Sequence, residues 1–178
     1  PHAVLTVQDT GIGIPSSEIC HLFTEFFRAS NVRAGCTPGT GLGLAAVKAL
    51  VEEIGKDGGK AIAYPCDVAD REALLGAIRR CEEELGPIDL MIANAGVSNR
   101  LPPEELDGRE VARVMGINFQ GAVTAAEGVL QRMMERGRGQ IVAMSSLASY
   151  QGLFFHGSYC ASKAAMNAFF ESLRLDVA

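Results

Sequence analysis

Apolar and polar positions along the chain follow two rhythms. Residues 88–93 (Ile-Asp-Leu-Met-Ile-Ala) and 140–144 (Gln-Ile-Val-Ala-Met) are short, nearly continuous apolar runs. Such runs predict strands of a parallel sheet covered on both faces by helices. Residues 60–65 form a third β-prone run ending at Pro65. Between these runs the apolar residues recur every three or four positions. Leu74, Leu75, Ile78 and Cys81 mark a helix over 72–85, and Val111, Val114, Met115, Asn118, Ala122 and Val123 share one face of a long helix over 108–135. A last helix begins near Ser158, while Gly86-Pro87 and Gly137 to Gly139 punctuate the pattern. Regular alternation of strand and helix from Lys60 onward predicts βαβ units, hence a three-layer, Rossmann-like α/β fold with a short parallel sheet. In such sheets ligands bind beyond the strand C-termini. Asp67, Asn94 and Ser146 all fall there.

The first part of the chain has a different character. A β-prone run over 3–7 is followed by the loop Asp9-Thr10-Gly11-Ile12-Gly13-Ile14-Pro15. Ser16 is placed to cap a helix carrying Glu18 in its first turn and Leu22, Phe23, Phe26 and Phe27 along it. A polar stretch over 30–40 leads into Gly39-Thr40-Gly41-Leu42-Gly43-Leu44. From there a helix is predicted, carrying Ala45, Val47, Leu50, Val51 and Ile54 toward Gly58-Gly59.

Composition narrows the classes. A chain of 178 residues, nearly half of them hydrophobic, has one domain as its default and can bury a sizeable core. The net charge of -5, with no basic stripe, disfavours nucleic-acid binding. Five widely spaced cysteines (Cys20, Cys36, Cys66, Cys81, Cys160) without a C-x-x-C pair fit reduced thiols in a cytoplasmic protein. They argue against a zinc site or a disulfide framework. No apolar run reaches the roughly 18 residues of a membrane span, and no basic-then-apolar leader opens the chain. The expectation is a soluble, cytoplasmic protein with no membrane partner. Pro1 at the start and a helical pattern still running at Ala178 read as cut points.

The chemistry concentrates between Ser145 and Lys163. Tyr159 and Lys163 stand at i and i+4, on one face of a helix. A free phenol, with a pKa of about 10, is a poor acid or base at neutral pH. A lysine cation beside it favours the phenolate. Ser146, at the end of the 140–144 run, can present a hydroxyl to a substrate oxygen. Together they suit proton transfer to and from a carbonyl or alcohol, whereas an isolated Tyr and Lys at this spacing would be packing residue and solvated charge. Asn118, on an apolar face, must satisfy its amide, by a helix-kink hydrogen bond or in a proton relay. Asn94 suits a turn and sheet-end cap, and Asp67 a cap for the helix that follows it. Ser145 and Cys160 read as structural, and His156 as a loop residue with substrate contact as the alternative.

Residues 52–178 resemble the middle of a short-chain dehydrogenase/reductase. Asp67-Val68 matches that family's aspartate near the adenine, Asn94-Ala95-Gly96 its N-A-G motif, and Asn118 the asparagine of its long helix. Ser146, thirteen residues before Tyr159, matches the substrate serine, and Tyr159 with Lys163 the Y-x-x-x-K pair. The resemblance implies NAD or NADP as cofactor, with Asp67, Val68, Asn94, Ala95, Gly96 and Lys163 at the cofactor. It implies an alcohol or ketone substrate, with Ser146, Tyr159, Lys163 and Asn118 as catalytic set and Asn118 relaying protons to Lys163 through water. The family's opening strand and T-G-x-x-x-G-x-G turn, and its second strand, have no counterpart here. Gly35, Gly39 and Gly41 repeat the glycine spacing without a preceding strand, which reads as coincidence.

Residues 1–50 instead resemble the ATP-binding domain of sensor histidine kinases. Asp9 to Ile14 matches its first glycine box, Phe23 and Phe26 its phenylalanine box, and Gly39 to Leu44 its second. That resemblance implies ATP at Asp9, Gly11, Gly13, Gly39, Gly41 and Gly43. The chain thus reads as a chimera of two families, 1–50 and 51–178, joined near 41–53. Its 3–7 strand would fill the vacant place in the sheet, where Asp9 would oppose a dinucleotide phosphate. The alternatives to an oxidoreductase are an ATP-binding module, or an inactive composite chain that folds by homo-oligomerisation through its open edges.

Overall fold

The computed structural model describes residues 43–177. The chain divides into two compact units, Pro1–Pro65 and Cys66–Ala178. The 3–7 strand, the 9–15 glycine loop and the helix from Ser16 lie outside the described residues.

In the first unit the expected helix is α1, Gly43–Lys56. Val47 is buried, and Lys48 pairs with Glu52 one turn on. The helix gives way at Gly58, whose φ of 79° lies in the left-handed region open to glycine. The Gly59 amide donates to the Ile54 carbonyl at 2.8 Å. Residues 60–65 were expected to be a strand and are not one. Among the described residues the sheet consists of β1 and β2 alone. β-propensity in a short run makes a strand only where a neighbour completes the ladder.

The second unit opens with α2, Arg71–Leu85. Its N-cap is Asp70, which accepts from the Ala73 amide at 3.0 Å. Leu74, Ile78 and Cys81 form its buried face, on the predicted helical spacing. β1, Leu90–Ala93, is two residues shorter than the apolar run suggested, and β2 is Gln140–Ala143. They pair in parallel, Leu90 opposite Gln140 and Ala93 opposite Ala143. Bonds from Gln140 N–H to Asp89 O (2.9 Å) and from Met144 N–H to Ala93 O (3.0 Å) extend the ladder at both ends. The long helix is interrupted: α3, Gly108–Met115, passes through a π turn, Gly116–Gln120, into α4, Gly121–Arg136. Gly137, with φ of 64°, closes α4 in the left-handed conformation. Two of the catalytic candidates, Tyr159 and Lys163, sit on α5, Gly157–Asp176.

α4 packs on α2 and on both strands, while α5 packs on α3 and the π turn. Glycine sets the α2–α4 approach, since a Cβ on Gly128 would lie 2.6 Å from Ile78 Cδ1. Ion pairs Arg132–Glu82 and Arg71–Glu127 flank that contact. The core runs through Val114, Val129 and Met166. The expectation that both strand faces are covered fails: Leu90 and Ile92 remain 46% and 44% exposed, on the face opposite Met91 and Ala93. No described helix is long and apolar enough to cross a membrane.

Candidate active site

The site forms where β2 ends against α5. Lys163 is 4% exposed, and its ammonium donates to the Met144 carbonyl at 2.6 Å. Burial disfavours the charged form and pushes its pKa below the ordinary lysine value. Tyr159, one turn earlier and half-buried, has its ring centroid 5.9 Å from Lys163 Nζ. The two side chains thus share a face, as their spacing predicted. The Ser145 hydroxyl donates to the Lys163 carbonyl at 3.5 Å, a structural tie between strand end and helix.

Ser146 lies three residues beyond β2, in extended conformation. Its hydroxyl oxygen accepts from the Ala148 amide at 3.2 Å and so caps the short turn Leu147–Ser149. That bond fixes the hydroxyl oxygen while leaving its proton to donate to a further acceptor.

Asn118 is fully buried in the π turn. Its Oδ1 accepts from the Val97 amide at 2.7 Å, and its Nδ2 donates to the Val97 carbonyl at 2.8 Å and to Ser162 Oγ at 2.9 Å. Ser162 in turn donates to the Tyr159 carbonyl at 2.7 Å. The amide therefore serves neither a bond within its own helix nor a direct contact to Lys163. It clamps the loop that follows β1 and the helix that bears Tyr159. Gly96 lies in the angle between them: a Cβ there would stand 3.4 Å from Asn118 Oδ1 and 3.6 Å from Lys163 Nζ. Val97 and Ser162 escaped the sequence reading. The only signal for Ser162 was its i+3 spacing from Tyr159, and for Val97 the need of a buried Asn118 amide for partners.

In the turn before α2, Asp67 is exposed and accepts from the Ala69 amide at 2.8 Å. It does not cap α2, contrary to one expectation: Asp70 does, because it stands next to the first helical residue. Val68 is buried against Gly121, where a Cβ would come within 3.0 Å of the Val68 Cβ. Asn94 and Gly96 are exposed and Ala95 half-buried, at the C-terminal tip of β1. His156 Nδ1 lies 2.7 Å from the Phe154 carbonyl, a local loop contact, and Cys160 is buried in α5 as packing. Cys81 and Cys160 are buried free thiols, and Cys66 is half-buried. Asp9, Gly11, Gly13, Gly39 and Gly41 lie outside the described residues, and Gly43 opens α1. Among the described residues no cluster of His, Cys, Asp and Glu could hold a metal.

The sequence pattern of the short chain dehydrogenase family matches residues 34–178. The chain belongs to the short-chain dehydrogenase family. An uncharacterised oxidoreductase of Myxococcus xanthus is 41% identical over 111 residues, covering 62% of this chain and 44% of that protein. The D-threitol dehydrogenase of Mycolicibacterium smegmatis is 37% identical over 116 residues, covering 65% and 45%. The crystal structure of an NAD+-bound xylitol dehydrogenase superposes with a TM-score of 0.69 at 30% identity, over 75% of this chain and 52% of that one. This short-chain dehydrogenase chain thus spans about half the length of the relatives it matches. The match starts at residue 34, upstream of the expected join, and takes in Gly35, Gly39, Gly41 and Gly43. The glycine spacing set aside as coincidence therefore lies inside the family match. The second glycine box ascribed to a histidine kinase lies inside it too.

Proposed function

We propose that residues 51–178 are the core of an NAD- or NADP-dependent oxidoreductase acting on a small alcohol or ketone. The observation that carries the reading is the buried Lys163 ammonium, anchored on the Met144 carbonyl beside the Tyr159 ring. When bound, the nicotinamide cofactor supplies or takes the hydride. The chain's own residues handle the proton and the orientation. Tyr159 transfers the proton at its phenolic oxygen, and the Lys163 cation stabilises the phenolate. Ser146 donates its free hydroxyl proton to the substrate oxygen. Asn118 holds loop and helix in register through Val97 and Ser162, and a water between it and Lys163 would complete the relay.

For the cofactor, the fit rests on the open Cα of Gly96 beside Lys163, which admits a close ligand approach. Lys163 retains donors beyond the one given to Met144. Asn94 and Ala95 at the tip of β1, and exposed Asp67 in the turn before α2, would line the cofactor site, and buried Val68 would contribute through its backbone. The threitol and xylitol dehydrogenases among the relatives support a polyol-like alcohol. Free thiols at Cys81 and Cys160 suit a cytoplasmic setting. An ATP site has weaker support: Gly39, Gly41 and Gly43 fall within the dehydrogenase match, which leaves Asp9, Gly11 and Gly13 to carry it.

Fluorescence titration of the whole chain with NADH, NADPH and ATP tests the reading, which expects one dinucleotide to bind ahead of ATP. Tyr159→Phe should then lower kcat/KM by about 10²–10⁴-fold, the range of general acid–base catalysis, with dinucleotide affinity unchanged. Equal loss of binding and turnover would contradict the proton-transfer role.

A further inference from the structure

Three consecutive residues beyond β2 are tied to one stripe of α5. The Met144 carbonyl accepts from the Lys163 ammonium at 2.6 Å, and the Ser145 hydroxyl donates to the Lys163 carbonyl at 3.5 Å. Ser146 is tied through an intermediary. Its carbonyl accepts from the Ser149 hydroxyl at 2.6 Å and from the Ser149 amide at 3.0 Å. The Ser149 hydroxyl oxygen in turn accepts from Asn167 Nδ2 at 2.8 Å. Tyr159, Lys163 and Asn167 follow one another at four-residue intervals, so they lie along one stripe of the helix.

Proton count fixes the direction of these bonds. A serine hydroxyl has a single proton to give. Ser149 gives its proton to the Ser146 carbonyl, so the group that meets it from α5 has to be a donor, and the half-buried Asn167 amide supplies one. Ser149 also ends the turn Leu147–Ser149, and the same turn supplies the Ala148 amide that holds Ser146 Oγ at 3.2 Å. Ala148 is buried, at 5% exposure. Backbone and hydroxyl of Ser146 are thus both held by a turn that Asn167 anchors to the helix bearing Tyr159.

We propose that Asn167 is a positioning residue: acting through Ser149, it fixes Ser146 against α5, so that the serine hydroxyl and the Tyr159 phenol address the same substrate oxygen. The proposal rests on the oxidoreductase reading above. Asn167 acts through geometry and moves no proton of the reaction.

Amide hydrogen exchange of the full chain, followed by NMR, reads the hold on Ser146 without turnover. The Ala148 and Ser149 amides report its hydroxyl oxygen and its carbonyl. In Asn167→Ala both should exchange about tenfold faster, the loss of roughly one hydrogen bond, while the Val129 amide in the core keeps its rate. Ser149→Ala should speed Ala148 at least as much, and adding Asn167→Ala to it should have no further effect, because the two act in series. With dinucleotide and an alcohol, Asn167→Ala should lower kcat/KM about tenfold or more, yet leave it unchanged in a Ser146→Ala background, where no hydroxyl remains to be positioned. A merely structural role would lower it equally in both backgrounds. Unchanged Ala148 exchange in Asn167→Ala, acceleration of Val129 in step with it, or equal losses of kcat/KM with and without the Ser146 hydroxyl would overturn the assignment. The exchange rates need no cofactor, so they decide the hold of Asn167 on Ser146 even where dinucleotide binding fails and the oxidoreductase reading falls.

Discussion

A lysine ammonium 4% exposed is held in place by one backbone carbonyl and by its neighbourhood with a phenol, with no carboxylate partner among the described residues. Burial lowers its pKa from the ordinary 10.5. Between the lowered folded value and 10.5 the unfolded chain binds more protons, so stability rises with pH through that window. Below the folded value the full penalty of burying the charge is present. Lys163→Met removes that penalty together with the bond to Met144. Its stability relative to wild type should therefore be greatest near neutral pH and decline as pH approaches 10.5. Denaturant unfolding of both proteins across that range checks this, and a difference that does not vary with pH would refute the buried-ammonium account. Turnover should be lost in the variant at every pH. The Tyr159–Lys163 pair was legible in the sequence because helical spacing alone places both on one face. Val97 and Ser162 were not, because their roles depend on a contact across 21 and 44 residues with Asn118.

At the scale of elements, the apolar periodicity over 108–135 marks the helical region and its buried face, yet carries no sign of the π turn Gly116–Gln120. Asn118 lies within that turn and is fully buried, and π turns are frequent at functional sites. Asn118→Ala should uncouple the loop after β1 from α5 and leave the buried Val97 groups without partners. A loss of about 1–3 kcal/mol for each buried polar group left unsatisfied is expected, read as a lowered denaturation midpoint with faster amide exchange at Val97. Asn118→Leu, apolar and similar in size, should be equally damaging; a neutral outcome would show that water replaces the clamp. A separate constraint lies between α2 and α4. Gly128→Ala would drive a Cβ to 2.6 Å from Ile78 Cδ1, so overpacking of about 1–3 kcal/mol is expected in urea unfolding. Ile78→Val in the same background should recover part of it. The helix faces and β2 were readable from apolar spacing. The 60–65 run was misread because strand character there depends on a pairing partner, which local propensity does not report.

Within the unit Cys66–Ala178, the sheet of the described residues has two strands, and one face of β1 stays half-exposed. Parallel sheets are ordinarily covered on both faces, and the apolar run over 88–93 was read on that basis. Leu90 and Ile92 are nonetheless 46% and 44% exposed, whereas Met166, Val129 and Val114 in the helical layer are 1% exposed or less. Stability of the unit must then come from the packing of α2, α3, α4 and α5 rather than from that strand face. The prediction is a contrast between two replacements. Leu90→Thr with Ile92→Thr keeps β-propensity and removes half-exposed apolar surface, so it should shift the urea midpoint little while lowering binding of a hydrophobic dye. Met166→Ala opens a cavity among the helices and should cost about 2–5 kcal/mol. If the double threonine variant unfolds as readily as Met166→Ala, the open face contributes more to the folded state than its exposure allows. The helical layer would then not be the seat of stability.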